Sequence, residues 1–503
     1  MRLGDIIYKD EYTTENEISI ETQVAELTRD FEKISESSLF FLLKSIKNYS
    51  ESIINIIKER KPLAIISEKA FIDEDIPAPI LYVRNVRQTM ATAYSRFFKI
   101  DYQKSKFIAV TGTNGKTTTA TLIKEVLLKE GESVGFIGTG KIEINGNAVN
   151  KEFYSMTTPD PEILYPEIRA MQNAGCKYIV MEASSHALFY DKLAPIPFEI
   201  GIFTNLSAEH LDFHKNLDAY YEAKFKLFEN CKAGIFNRDD KYSRKAFSAV
   251  KCAAYSIGIL WPADVMAREI NQKGFLGTEY IYRENALIFK VKMNLIGGYN
   301  IYNSMLAIKT LILLGLKPCR IKKALSEISS IDGRFEITNS QPLIIRDYAH
   351  TPEALDNLLK TVKSAKNPKQ NMIIVFGCGG ERDKQKRPLM AKTASKYCDF
   401  SIVTSDNSRS EPLSEIIEDI LKGFRETEKR TVITDRKKAI EYAILTADKN
   451  DVVIIAGKGA ENYIIDANGT APFSEKDIIK DALLIREKRE VHDANCFRDT
   501  TIV

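Results

Sequence analysis

A chain of 503 residues exceeds what one hydrophobic core organises, so roughly two to four domains are expected. Its composition, 44% hydrophobic and 28% charged without a low-complexity tract, is that of a globular protein. A net charge of only +3 and a pI near 8.2 exclude a dedicated nucleic-acid binder, because no basic excess is available to meet a phosphate backbone.

The opening "MRLGDIIYKDEYTTENE" lacks the apolar core and cleavage site of a secretory signal. Residues 1–102 form the first expected domain, with strand-like runs ("PLAIISEKA", "APILYVRNV") among helical stretches whose lysines read as a solvated face. Residues 103–333 alternate apolar strand-like runs ("FIAVTG", "SVGFIGTG", "YIVMEASS", "EIGIFTNLS") with helical patterns, the mark of a mostly parallel sheet. Residues 334–503 repeat that alternation ("PLIIRDYAH", "NMIIVFGCGG", "FSIVTSDN", "DVVIIAGKG"). The expected fold class is therefore α/β in three domains: a small N-terminal domain, a central P-loop-type domain and a C-terminal Rossmann-like domain. Ligands belong at the carboxyl ends of such strands. The longest apolar run, "MLAIKTLILLGL", is interrupted by Lys309 and is too short to span a bilayer, so no stable membrane insertion is expected. The seven cysteines show neither CxxC pairing nor metal-ligand spacing, which fits reduced thiols in a cytoplasm. Of five histidines, His186, His210, His214 and His350 fall inside apparent motifs and His492 in the tail.

The central domain opens on "KFIAVTGTNGKTTTATLI", a strand running through glycines into a helix. Gly112, Thr113, Asn114 and Gly115 allow backbone N–H groups to turn toward a phosphate. Lys116 supplies a point charge, Thr117 a hydroxyl for Mg²⁺, and Thr118 continues into the helix, whose N-terminal end is positive. Nucleotide binding follows; the reaction it drives does not.

The form T-G-T-N-G-K-T resembles the ATP loop of the Mur ligase family, which couples ATP to amide-bond formation through an acyl phosphate. Four further stretches carry the resemblance: "VMEASSHAL", "NLSAEHLDFH", "GGYNIYN" and "IDGRFEI…RDYAHTPEAL". It implies Mg²⁺ at Glu182 and His210, ATP contacts from Asn300 and Asn303, a phosphate contact from Arg334 and a ribose contact from Asp347. Lys224, in "YYEAKFKLFENC", stands where murein members of the family carry a carbamate, which implies N6-carboxylysine as an additional metal ligand. Carbamylation needs a neutral, desolvated lysine.

In the C-terminal domain "GCGGERDKQKRPLM", "SDNSRSEP" and "AGKGAENY" resemble the MurE-type branch, which adds an amino acid to a UDP-N-acetylmuramoyl dipeptide. Its diaminopimelate-adding form has an arginine where Arg409 stands. A guanidinium can hold the distal carboxylate of that amino acid bidentately and would repel the bare ammonium of lysine. The expected clamps are Arg387 and Arg409, with Asp406 and Asn407 as polar partners and Glu461 and the Gly457 carbonyl for the ammonium. Ser408 and Ala460 replace a proline and a histidine of the branch.

On the acceptor side, "YSMTTPDPEIL" implies contacts from Thr157 and Thr158, joined by Ser184, and Lys192 replaces the family's arginine. The first domain departs further, with Phe31-Glu32 in place of Ser-Arg after Asp30. The reading is an ATP-dependent ligase adding meso-diaminopimelate to UDP-N-acetylmuramoyl-L-alanyl-D-glutamate for peptidoglycan synthesis. The alternatives are a paralogue with another carboxylate acceptor and a non-catalytic binding relative. Its partners would be small molecules alone, and the family implies a monomer.

Overall fold

The computed structural model describes residues 1–45, 48, 50–71, 76, 78–149 and 156–499, with the side chains of 52 and 490–499 outside the description. Tyr154 and Ser155 of the acceptor stretch, and the side chain of His492, therefore lie outside the described residues.

Four short parallel strands, Glu26–Thr28, Ser38–Phe41, Ala64–Ser67 and Ile80–Tyr82, pair in chain order to form the first sheet. The helix Glu51–Arg60 packs by Ile57 with Phe40 and Ile65 on one face, and Val86–Phe97 by Met90 and Tyr94 with Leu39 and Phe41 on the other. Asn85 starts the second helix, its Oδ1 accepting from the Arg87 and Gln88 N–H groups at 3.0 and 3.1 Å.

The central sheet has eleven strands. Its parallel heart places Lys106–Thr111 between Tyr178–Glu182 and Phe198–Phe203. Every residue of these strands but Lys106 and Glu199 is buried. That is the pattern of a sheet covered on both faces. The helix Lys116–Lys129 leaves the middle strand, and the chain reappears two places away in Val134–Gly138. Chain direction thus diverges at Thr111, and the crevice that opens at such a switch point is where ligands bind. Two antiparallel extensions, Thr278–Glu284 with Leu287–Met293 and Lys141–Ile144 with Asn147–Ala148, were not foreseen from the alternating pattern.

The third sheet runs Glu336–Ser340, Leu343–Asp347, Val452–Ala456, Met372–Phe376, Phe400–Val403, Arg430–Val432, all parallel except the first. Its strand ends carry Asp347, Gly457, Gly377 and Thr404, so the polar motifs of the C-terminal half converge on one rim. Among the described residues no helix is long and apolar enough to cross a membrane.

Candidate active site

The phosphate loop is held by what surrounds it. Gly112 has φ +140°, and a Cβ there would lie 1.9 Å from Thr204 Oγ1; Gly115 has φ +85°, and its Cβ would lie 2.4 Å from Asn303 Oδ1. Neither position accepts a side chain. Asn205 Oδ1 accepts from the Asn114 N–H at 2.9 Å, and Thr204 Oγ1 donates to the Asn114 carbonyl at 2.6 Å. Lys116 Nζ folds over the loop, donating to the carbonyls of Gly112 and Thr113 at 2.9 and 2.8 Å. Burial lowers its pKa, against the attraction of Glu209 and Glu182. Thr117 Oγ1 donates to Glu182 Oε2 at 2.9 Å and accepts from Arg334 Nη2 at 2.9 Å. Glu182 is fully buried at its strand end, where Oε1 takes the Thr139 N–H at 3.0 Å.

A hydroxyl beside a carboxylate, at the mouth of a phosphate loop, is the donor set that Mg²⁺ uses when it shares its shell with phosphate and water. Among the described residues no cluster of three or more His, Cys, Asp or Glu side chains forms a protein-only cage. The residues present fit Mg²⁺ held jointly with phosphates.

His210, at φ +56°, caps the short helix Leu211–His214. Burial, with the charges of His186, Lys224 and Lys116, pushes its pKa down to about 3 against the pull of Glu209, and burial likewise brings His214 to about 4. Both imidazoles are neutral near pH 7, as a ligating histidine must be. His214 Nε2 pairs with Ser185 Oγ at 3.0 Å, buried and outside the cavity lining. Glu209, which the motif reading passed over, bonds His350 Nε2 at 2.9 Å. Burial opposes its ionisation, yet that bond and the charges of His350, His210 and Lys116 hold it well below the usual carboxylate range.

Lys224 is 1% exposed, its Nζ donating to the Gly112 carbonyl at 2.8 Å with the Tyr220 ring centroid 4.5 Å away. Burial lowers its pKa well below that of an ordinary lysine, and Lys116, bonded to the same carbonyl, adds repulsion. Two ammonium groups on one carbonyl oxygen, without a carboxylate bonded to either among the described residues, is an arrangement that favours neutralising one of them.

Asn300 and Asn303 are joined, Nδ2 of Asn303 to Oδ1 of Asn300 at 2.9 Å, on the helix Gly298–Leu313. Asp347 accepts the Phe335 and Ala349 N–H groups, both at 2.7 Å. Arg334 lies 4.2 Å over the Tyr348 ring.

Thr157 Oγ1 sits 3.1 Å from Thr139 Oγ1. Thr158 Oγ1 donates to the Glu182 carbonyl at 2.8 Å and accepts the Ser184 N–H at 3.0 Å. Lys192 pairs with Asp160 at 2.6 Å, and Asp160 also takes Arg29 of the first domain at 2.6 Å. Asp30 caps a 3₁₀ turn by accepting the Glu32 N–H at 3.0 Å. Arg87, on the helix after Asn85, stacks 4.1 Å over Tyr190 at the cavity wall.

The C-terminal arginines require a correction. Arg387 is fully buried, bonded to both Glu411 oxygens at 2.8 Å and to Asp419 at 3.0 Å, and does not line the cavity. A guanidinium committed to two carboxylates cannot clamp a third. Arg409, at φ +55°, does line the cavity, and among the described residues its guanidinium bonds only the Gly380 and Asn407 carbonyls, at 2.8 and 3.2 Å. Burial lowers its pKa, and the nearby Arg382 charge lowers it further. Arg382, in the loop ahead of the helix Lys386–Tyr397, is exposed and lines the same wall. Sequence reasoning missed it. Among the described residues no carboxylate pairs with either Arg382 or Arg409. Nearby, Asn407 Nδ2 donates to Glu461 Oε2 at 3.1 Å, Lys458 Nζ lies 2.9 Å from Asn407 Oδ1 and 3.2 Å from Glu461, and Tyr348 OH reaches Glu461 Oε1 at 3.3 Å. Although burial disfavours the charge, Lys458 and Arg436 hold the Asp406 pKa at about 2. Gly457, at φ +118°, leaves room for Asp406, whose Oδ2 a Cβ would approach to 2.8 Å.

One cavity of about 980 Å³ joins these groups, from Arg29 and Arg87 of the first domain, past Lys116, Glu182 and His210, to Arg409 and Glu461. Gly112 and Lys224 are not among its lining residues.

Residues 110–311 match the Mur ligase middle domain and residues 333–459 the Mur ligase glutamate ligase domain. The chain is 40% identical over 473 residues to the UDP-N-acetylmuramoyl-L-alanyl-D-glutamate–2,6-diaminopimelate ligase of Clostridium perfringens, covering 92% of this chain and 96% of that one. Identity to the corresponding ligase 1 of Clostridium acetobutylicum is 37% over 467 residues, covering 92% and 95%. A solved structure of a UDP-N-acetylmuramoyl-L-alanyl-D-glutamate–2,6-diaminopimelate ligase superposes with a TM-score of 0.67 at 27% identity, covering 97% of this chain and 99% of that one.

Proposed function

The chain belongs to the Mur ligase family, whose members are ATP-dependent ligases, and we propose that it adds meso-diaminopimelate to UDP-N-acetylmuramoyl-L-alanyl-D-glutamate. The observation that carries the choice of amino acid is the pair Arg382 and Arg409, two guanidinium groups on the cavity wall without a carboxylate partner among the described residues, near the acidic pair Asp406 and Glu461. A substrate ending in both a carboxylate and an ammonium satisfies both halves of that wall.

In this reading residues 1–102 hold the nucleotide-sugar end of the acceptor, residues 103–333 ATP, and residues 334–503 the amino acid. The loop amides and Lys116 hold the β- and γ-phosphates, Arg334 touches phosphate, Asp347 the ribose, and Asn300 and Asn303 contact ATP beside the loop. Thr117, Glu182 and His210 would hold Mg²⁺, which when bound offsets the charge developing on the transferring phosphoryl group. A carbamate on Lys224 would give that site a further anionic ligand. Thr157, Thr158, Ser184 and Lys192 orient the acceptor so that a carboxylate oxygen attacks the γ-phosphorus and ADP leaves. The α-amine of the amino acid, aligned by Arg382, Arg409, Asn407 and Glu461, then attacks the acyl carbon, and inorganic phosphate departs. Because residues from all three domains line one cavity, their approach excludes the water that would hydrolyse the acyl phosphate. The enzyme would work as a monomer in the cytoplasm on small-molecule substrates.

The test of this chemistry is isotopic. With ¹⁸O in the acceptor carboxylate, the released phosphate carries one ¹⁸O if an acyl phosphate forms. Phosphate free of label overturns the mechanism.

A further inference from the structure

The chain has a single tryptophan, and it stands on an unusual loop. Residues 259–264 connect the strands Ala253–Gly258 and Val265–Gln272. Asp239, just beyond the end of the neighbouring strand Cys231–Asn237, holds this loop with its whole carboxylate. Oδ2 accepts the N–H groups of Ile259 at 2.7 Å and Leu260 at 3.0 Å, and Oδ1 that of Trp261 at 2.8 Å. Tyr302 OH donates to the same Oδ2 at 2.8 Å. Gly258 tightens the turn, since a Cβ there would lie 2.6 Å from the Trp261 carbonyl oxygen.

So firm a backbone normally serves to bury apolar side chains, yet here it presents them. Leu260 is 78% exposed and Trp261 54% exposed. Leu260 lines the central cavity, as do Leu295, Tyr302, Ala354 and Leu358, apolar members of a lining that also carries many charged and amide side chains. Tyr302 sits on the helix whose neighbouring residue, Asn303, presses on Gly115 of the phosphate loop. One rigid helix therefore sets the distance between the phosphate loop and the Leu260 loop. An exposed apolar patch at a ligand cavity, built on a fixed backbone, suits a flat apolar group of a ligand whose other end is anchored.

We propose that the loop Ile259–Ala263 forms a wall of the base subsite, with the Leu260 side chain packing on the purine ring of ATP and Trp261 at its outer edge. The inference rests on the reading that ATP phosphates occupy the loop at Gly112–Thr117. Arg244, stacked 4.6 Å from the Trp261 ring, braces that side chain from outside the cavity. Leu260 is thus a specificity-determining residue that acts by apolar contact, with polar groups on the base left to other walls.

The test uses full-length protein and the fluorescence of Trp261, with binding followed in parallel by calorimetry. ADP is expected to change the emission saturably, while inorganic tripolyphosphate, which offers phosphates without a base, binds and leaves the emission unchanged. Leu260→Ser, at so exposed a position, leaves folding intact. It is expected to raise the Kd for ADP about tenfold, the order set by losing one apolar contact, and to leave that for tripolyphosphate unaltered. Equal emission changes with ADP and tripolyphosphate, or an unchanged ADP Kd in Leu260→Ser, overturns the proposal while leaving nucleotide binding in place. Failure of the unsubstituted protein to bind ADP overturns both.

Discussion

Arg387 and Arg409 lie 22 positions apart in the sequence and have opposite expected responses to replacement. Arg387→Met removes a guanidinium of zero exposure and leaves Glu411, 8% exposed, and Asp419, 23% exposed, without their shared partner. Breaking a buried pair costs about 3–5 kcal/mol, and the partial exposure of Asp419, with Lys384 still beside Glu411 and Lys422 beside Asp419, favours the lower figure of about 3 kcal/mol. For a domain of this size that lowers Tm by about 6–12 °C. Catalytic constants of the folded fraction change little. Arg409→Met removes a charge bonded only to carbonyls, so Tm stays within about 2 °C. Loss of a charge-assisted pair of hydrogen bonds to substrate costs about 3 kcal/mol, or roughly 100-fold in KM for the amino acid. Thermal unfolding and initial rates with varied amino acid read both effects, with Arg382→Met expected to follow Arg409→Met. If Arg387→Met keeps its Tm and raises KM, the assignment of Arg387 to a structural ion pair is wrong.

Three other outcomes follow from the same geometry. Gly115→Ala forces a side chain to φ +85°, at about 1–2 kcal/mol, and against Asn303; KM for ATP should rise at least about tenfold with that for the amino acid unchanged, and an unaltered KM for ATP contradicts the loop's role. With ¹³C-bicarbonate, carbon NMR should show a carbamate signal that Lys224→Gln lacks, alongside about 100-fold lower activity in the variant; no signal in the parent protein rules the carbamate out. His214 has its pKa lowered by burial to about 4, below the 6.5 of the unfolded chain, so the unfolded state takes up the proton first. Stability therefore falls as pH drops below about 6.5, by at most about 1.4 kcal/mol per pH unit from this residue, and Tm measured between about pH 7 and pH 5 should fall less steeply in His214→Gln.

The phosphate loop was legible because its chemistry is contiguous: strand, glycines, lysine and helix follow one another, and folding only repeats the order of the sequence. The strand-end motifs were legible for a related reason, since a parallel sheet brings every carboxyl end to one rim. Other features depend on which way a side chain points. In "ERDKQKR" four basic residues compete for the cavity. The helix begins at Lys386, turning Arg387 inward to Glu411 and leaving Arg382 in the loop before it. Glu209 is adjacent to His210 but was invisible, because its partner His350 arrives from another domain. Lys224 and Lys226 look alike in "AKFKL"; only packing of the helix Leu217–Phe225 buries the first and leaves the second, 39% exposed, paired with Asp191. The antiparallel strands at 278–293 were obscured by their short turn and charged outer face.

The most direct measurement is phosphate release from ATP by the purified chain with UDP-N-acetylmuramoyl-L-alanyl-D-glutamate, supplying meso-diaminopimelate or lysine in turn. The account predicts release that requires both acceptor and diaminopimelate, with lysine supporting less than about one-hundredth of the rate, the ratio expected for an unmatched charge pair. Equal release with lysine, or release that does not need the acceptor, would contradict it.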